Sequence, residues 1–252
     1  MAYNLPRDYL SASQVLKYLN CPKQYELEYV LNQRPESPKS VALGIGSTVH
    51  KMVELNLQSQ LDGIFMEEKD ILNHDSLSEL LEDCDYEGED KDYWTTYSQI
   101  LYKTWYKGVG NSIMPVKSEF GFESLVGDVP VRGYVDYIDN STGRMEICDL
   151  KVAKRSKSEA DCRNSVQLAM YAIVEDISDV RFDTVCKTKV PKVGVARYSF
   201  AKSELDYFTD LIGEVATNIS RGNFPMTSPD SWMCTTKWCA HYANCRGKYA
   251  EQ

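Results

Sequence analysis

Residues 131–151, VRGYVDYIDNSTGRMEICDLK, decide how this chain is read. Two short runs rich in Val, Ile and Tyr flank Asn140-Ser141-Thr142-Gly143, a pattern that predicts a β-hairpin. With a two- or four-residue loop, residues whose numbers sum to 283 face each other, which sets Asp136 opposite Ile147. Asp149 then lies on the diagonal from Asp136, roughly 7–8 Å away. Because side chains alternate along a strand, Asp136, Asp149 and Lys151 emerge on one face. Two carboxylates so placed can share a cation, and hard oxygen ligands suit Mg²⁺ or Mn²⁺. Lys151 then points at whatever the cation holds, as metal-assisted attack on a phosphate requires. The same residues on an exposed strand would be weak surface ion pairs, so the rest of the chain has to decide.

At 252 residues, 43% hydrophobic and 26% charged, the composition is that of a globular chain able to bury a sizeable core. The start, MAYNLPRDYLSAS, has neither a basic head nor an apolar run, and no uninterrupted apolar stretch reaches membrane-spanning length, so a cytoplasmic protein with no membrane partner is expected. The net charge of −9 is local. Residues 67–92 hold twelve Asp or Glu against Lys69 and Lys91, −10 in all, and leave the remainder near +1. A broad basic footprint is excluded, whereas a basic groove is not.

Ser11 to Gln14 offers a capping box for a first helix, and Pro22 opens a second just after Cys21. Asn32 to Ser40, with Pro35 and Pro38, reads as a loop. Gly44 to Leu61 predicts a helix with Val49, Val53 and Leu57 at helical spacing, placing His50 and Glu54 on one face. The acidic stretch 67–92 reads as a solvated, mobile insertion with a helical segment around Leu77 to Leu81. Lys91 to Lys107 predicts an amphipathic helix whose aromatics, Tyr93, Trp94, Tyr97 and Trp105, read as core rather than as stacking platforms.

Val116 to Val126 leads through Gly127-Asp128 into the central hairpin and carries the acids Glu119 and Glu123. Beyond Lys151 lie basic residues Lys154, Arg155, Lys157 and Arg163, then a helix with Gln167 and Tyr171 one turn apart. Thr184 to Phe200 reads as two strand-like runs about residues 189–192, with Lys187, Lys189, Lys192 and Arg197. Ser203 caps an amphipathic helix to Arg221. Helices, a β-meander, a crossover helix and further strands predict an α/β core, a mixed central sheet flanked by helices.

Eight cysteines in a chain with no export signal argue against a disulfide framework. Cys234, Cys239 and Cys245 cluster as Cys-x4-Cys-x5-Cys. They need a fourth ligand: His241 would complete a zinc site, and Cys21, at a helix junction, would complete a four-cysteine iron-sulfur cluster. A cluster on Cys21 and the tail would pin the two chain ends together.

Taken in order, CPKQYELEYV from Cys21, GSTVH ending at His50, GYVDYID with Asp136, ICDLK with Asp149 and Lys151, QLAMY with Gln167 and Tyr171, and the tail cysteines form one pattern. It resembles the RecB-like branch of the PD-(D/E)XK nuclease superfamily, which includes iron-sulfur nucleases of the AddB type and CRISPR-associated and bacteriophage RecB-like exonucleases. The resemblance implies one nuclease domain over 1–252, with a helical insertion at 31–115, a restriction-endonuclease-like catalytic core at 116–221, and a cluster region of 11–30 plus 222–252.

It further implies that His50, Asp136 and Asp149, with a main-chain carbonyl near Leu150, bind the catalytic Mg²⁺ or Mn²⁺. Lys151 would orient the attacking water, Gln167 and Tyr171 would position DNA and the site, and Cys21, Cys234, Cys239 and Cys245 would hold a [4Fe-4S] cluster, with Zn²⁺ as the alternative. Lys154, Arg155, Lys157, Lys187, Lys189 and Lys192 would carry the DNA backbone. The implied activity is metal-dependent exonuclease action on DNA ends in recombination, repair or phage DNA processing, beside a recombination or annealing partner. A CRISPR-adaptation-type nuclease and a non-catalytic iron-sulfur scaffold are the alternatives. Asp149 stands where many relatives have Glu, the tail spacing departs from the relatives' Cys-x2-Cys, and the acidic stretch has no counterpart.

Overall fold

The computed structural model describes residues 3–34, 39–82, 84–86 and 88–249. Of the loop predicted from Asn32 to Ser40, residues 35–38, with both prolines, lie outside these. The chain divides into two compact units, one made of Pro38–Phe122 and Tyr134–Leu205, the other of Met1–Ser37, Glu123–Gly133 and Asp206–Gln252. In chain order the elements are α1 (Ala12–Asn20), α2 (Pro22–Tyr25), β1 (Lys39–Ser40), α3 (Val41–Leu61), α4 (Glu68–Leu72), β2 (Cys84–Asp85), α5 (Lys91–Gly108), β3 (Pro115–Val126), β4 (Val129–Asp139), β5 (Glu146–Ala153), α6 (Glu159–Arg163), α7 (Val166–Glu175), β6 (Asp179–Cys186), β7 (Lys192–Ser199) and α8 (Lys202–Ser220).

A five-stranded sheet in the order β3-β4-β5-β6-β7 organises the fold. β5 lies antiparallel to β4 and parallel to β6, and β7 returns antiparallel to β6. The parallel pair needs a crossover, which α6 and α7 supply. Both helices are capped by serines: Ser158 forms a full capping box with Asp161, and Ser165 accepts from the Leu168 amide. The mixed α/β sheet flanked by helices is therefore the predicted one.

In the larger unit, Cys148 and Leu150 of β5, Tyr137 of β4 and Val185 of β6 are buried with Ile45, Val49, Met52 and Val53 of α3 and Leu101, Tyr102 and Trp105 of α5. Alternation along β5 turns Asp149 and Lys151 to the opposite face. α3 begins at Val41 and takes Gly44 into its interior. A Cβ at Gly44 would come within 2.8 Å of both Cys84 Sγ and Leu81, so only glycine allows this close approach.

The acidic stretch is not the mobile insertion its composition predicts. Ile71 and Leu81 are each 1% exposed and Cys84 is buried, all three within the same core as α3 and α5. β2 pairs in parallel with β1, and Lys39 Nζ donates to the Leu80 carbonyl at 2.5 Å. Three apolar residues spaced through a run of acids are enough to anchor it. The predicted helical segment around Leu77 is a single 3₁₀ turn, Asp75–Leu77.

Within the smaller unit, Cys21 takes an extended conformation between α1 and α2, and Pro22 occupies the first helical position. Ser11 caps α1 by accepting from the Gln14 amide, while Gln14 itself turns inward and accepts from Tyr25 Oη at 3.3 Å instead of closing the capping box. Tyr18 and Tyr25 pack with Phe224, and Tyr18 Oη donates to the Asn223 carbonyl at 2.7 Å. The N-terminal helices and the C-terminal tail therefore share one apolar seat. α8 starts at Lys202, so Ser203 lies inside the helix rather than capping it.

Candidate active site

All the catalytic side chains implied by the sequence lie in the larger unit. The β4-β5 register pairs Tyr137 with Cys148 and Asp139 with Glu146, so paired numbers sum to 285 rather than 283. The loop is longer than predicted, because Asp139 binds the Ser141 amide at 2.8 Å and its hydroxyl at 2.9 Å and holds the turn open. A two-residue shift preserves the faces. The paired register ends at Tyr137 and Cys148, and Asp136 and Asp149 follow next on the two strands.

Asp136 Oδ2 accepts a hydrogen bond from the Leu150 amide at 2.7 Å. His50 Nδ1, on α3, lies 3.6 Å from Asp136 Oδ2 and 4.0 Å from Glu119 Oε1 on β3. His50, Glu119 and Asp136 bring their ligand atoms within 4.8 Å of one another. Glu119 was noted in the sequence only as an acid on a strand. Its φ of +42° within β3 is a conformation that L-residues rarely adopt, and it is a local distortion at the site. No feature of sequence spacing announces that distortion.

Asp149 is fully buried, and its Oδ2 lies 2.5 Å from Lys151 Nζ. Neither of its oxygens accepts a well-directed hydrogen bond. Lys151 Nζ also donates to Gln167 Oε1 at 3.1 Å, and Gln167 Nε2 donates to Tyr171 Oη at 2.8 Å. One turn of α7 thus fixes the lysine head from behind, and Phe122 packs edge-on against Tyr171.

Burial pushes the Asp149 carboxyl up to about 7, and neighbouring Asp136 pushes in the same direction, with Lys151 and His50 opposing. Asp136 is raised too, first by burial, while His50 lowers it and Glu119 raises it. Burial alone would lower the His50 imidazole, but Glu119, Asp136 and Asp149 outweigh it and raise it. Three mutually repelling acids beside an imidazole, and orphaned oxygens on Asp149, fit a divalent cation: the donor set is hard and the missing partner is positive.

A second buried acidic group has a different answer. Asp139, Glu146 and Cys148 also converge, but Arg181 fills the space, 2.9 Å from Asp139, 2.6 Å from Glu146 and 2.9 Å from Asp183. Tyr137 Oη donates to Asp183, and Arg197 reaches Glu146 at 3.0 Å. There the guanidinium supplies the cation.

Of the predicted DNA-binding residues, Lys154, Lys187 and Lys189 line one groove with α5. Arg155 is exposed, Lys157 lies 3.9 Å from Asp161, and Lys192 is exposed on β7 and outside that groove.

In the smaller unit, Cys21, Cys234, Cys239 and Cys245 line one cavity of about 240 Å³. Burial raises the Cys239 thiol, and Cys21, Cys234 and Cys245 raise it further. Among the described residues no three of these thiols lie within 4.8 Å of one another. A tetrahedral zinc with Zn–S of about 2.3 Å draws its sulfurs to roughly 3.8 Å. His241 lines the same cavity; it is buried, with Nε2 3.4 Å from Glu28 Oε1.

No curated protein matches the chain. Among solved structures, the Eubacterium rectale protein named "Putative exonuclease" superposes with a TM-score of 0.54 over 90% of this chain and 87% of its own, at 14% identity, a likeness of fold. The structure of SSO0001 is also similar, with a TM-score of 0.40, 14% identity and coverage of 90% and 95%. Residues 9–246 match the PD-(D/E)XK nuclease superfamily. With that match spanning nearly the whole sequence, the chain belongs to the PD-(D/E)XK nuclease superfamily.

Proposed function

We propose that this chain is a RecB-like, metal-dependent deoxyribonuclease that degrades DNA from its ends in recombination, repair or phage DNA processing. The observation that carries the reading is the buried, unsatisfied Asp149 carboxylate, set near Asp136 and against Lys151. His50, Asp136, Asp149 and the Leu150 main chain would hold Mg²⁺ or Mn²⁺, and Glu119 joins them. The bound ion would supply a water of lowered pKa and neutralise phosphate charge. Lys151 orients that water and offsets charge building on the phosphate oxygens. Gln167 and Tyr171 keep the ammonium aimed, so that it does not fold back permanently onto Asp149. Lys154, Arg155, Lys157, Lys187, Lys189 and Lys192 bind the backbone of the DNA without reading sequence.

Cys21, Cys234, Cys239 and Cys245 would hold a [4Fe-4S] cluster, with Zn²⁺ as the alternative; the cavity that all four line supports a shared group. Its chemistry here is structural: four thiolates tie Cys21, ahead of α2, to the tail. A single RecB-like nuclease domain with a split cluster region is the organisation this implies, acting in the cytoplasm beside a recombination or annealing partner.

The test is cleavage of end-labelled linear and closed circular DNA by anaerobically purified protein, with Mn²⁺, with Mg²⁺ and with chelator, beside Asp149→Ala. Metal-dependent loss of linear DNA alone, absent in the variant, supports the reading. Cleavage of the circle makes the enzyme an endonuclease, and no cleavage under any condition rejects catalysis.

A further inference from the structure

β4 carries one large aromatic ring that lies outside the core. Val135 and Tyr137 are buried on one side of the strand, whereas Tyr134 on the other is 58% exposed. Alternation puts Tyr134 on the face of β4 that carries Asp136, two residues and roughly 7 Å further on. Among the described residues Tyr134 makes no hydrogen bond and pairs with no other ring. Tyrosine suits any strand surface, so exposure alone assigns it nothing. What lies under the ring does.

A Cβ at Gly121 of the neighbouring strand β3 would come within 3.0 Å of Tyr134 Cε1 and 3.5 Å of its Cδ1 and Cζ. Glycine thus lets the ring lie directly on the β3 main chain. Gly121 is held on both sides. Two residues before it, Glu119 reaches to 4.0 Å from His50, and next to it Phe122 packs edge-on against Tyr171. Two residues separate Tyr134 from Asp136 on β4, and two separate Gly121 from Glu119 on β3. The ring therefore lies alongside the carboxylates that converge with His50, and all of these residues belong to the larger unit. A side chain seated in this way gives up little freedom when something packs on it.

A phosphate brought to His50, Glu119 and Asp136 carries its own nucleotide past the next side chain on the same face. We infer that Tyr134 is a substrate-positioning residue: its ring stacks on the base of a nucleotide adjoining the scissile phosphate, and so fixes where that phosphate comes to rest. The inference rests on the nuclease reading and adds one contact to it. Every base has a π-face, so the contact tolerates any sequence.

The experiment measures kcat/KM for the full chain on intact oligonucleotides and on ones with an abasic nucleotide at each of the first three positions from either end in turn. Tyr134→Ala lowers kcat/KM on intact DNA about 5- to 100-fold. Tyr134→Phe and Tyr134→Trp retain it, while Tyr134→Leu, which has bulk but no π-face, does not. At one position the abasic nucleotide costs the unaltered chain a similar factor and costs Tyr134→Ala nothing further. Gly121→Ala displaces the ring and lowers kcat/KM, an effect that disappears in the Tyr134→Ala background. Apart from cleavage, 2-aminopurine at the same position is quenched on binding the unaltered chain in chelator and less so on binding Tyr134→Ala. Wild-type kcat/KM in Tyr134→Ala, full activity in Tyr134→Leu, or a loss equal on intact and abasic DNA at every position overturns the inference and leaves the nuclease reading standing. A raised Mn²⁺ requirement in Tyr134→Ala also overturns it, because the ring would then prop the acidic cluster. If the unaltered chain cuts no DNA with either metal, the nuclease reading fails and the inference falls with it.

Discussion

Asp136 and Asp149 are joined across β4 and β5 through one amide: that of Leu150, next to Asp149, donates to Asp136 Oδ2 at 2.7 Å. One carboxylate is thereby held by the main chain of the other's strand, while Asp149 lies against Lys151. The arrangement is costly without a cation, and the predictions below follow from that cost.

Asp149→Asn should raise the stability of the metal-free protein. The folded carboxyl titrates near 7, against about 3.9 in an unfolded chain. Between those values the native state binds more protons than the unfolded one, so wild-type stability falls as pH rises from about 4 to 7. The neutral amide escapes that loss. In chelator at pH 8 the variant should melt roughly 5 °C or more above wild type, with the gap closing toward pH 4, and it should cleave nothing. A melting difference independent of pH would contradict the assignment.

Glu119→Gly relieves the positive-φ strain and removes a ligand, whereas Glu119→Gln removes only the charge. Strain of this kind costs on the order of 1 kcal/mol. The Gly variant should melt above the Gln variant, and both should need more metal for half-maximal cleavage. Equal metal requirements in Glu119→Gln and wild type would remove Glu119 from the site.

Arg181→Met strips the cation from three buried carboxylates, Asp139, Glu146 and Asp183. Removing one partner of such a network costs about 3–5 kcal/mol. Urea unfolding should show that loss, and a variant as stable as wild type would mean that the acids pick up protons cheaply.

Cys239→Ala should abolish the visible thiolate-to-iron absorbance of anaerobically purified protein and lower its melting temperature. Stoichiometric zinc with no iron in the unaltered protein would replace the cluster by a single ion.

Much of this was legible in the sequence because it depends on period and order. The hairpin, the crossover helix and the alternation that puts Asp136, Asp149 and Lys151 on one face all follow from patterns that neighbouring residues enforce. The register was off by two, since Asp139 spends its oxygens on the loop and on Arg181, which no local pattern shows. The acidic stretch was misread because composition averages over Ile71, Leu81 and Cys84, whose burial depends on partners in α3 and α5. Glu119 is not singled out by sequence because its place beside His50 and Asp136 depends on the packing of β3 and α3. The α5 aromatics divide between core and groove by a rotation of about 100° per residue, and which face meets the core is decided by the sheet.

Single-turnover cleavage by Lys151→Ala, beside its DNA affinity, tests the central claim most directly. Lys151 touches Asp149 and Gln167 and is part of no apolar core. The account predicts a loss of at least about 100-fold in the cleavage step, with binding in chelator within a few-fold of wild type and an unchanged melting curve. Cleavage at the wild-type rate would show that the hairpin face is not where the chemistry occurs.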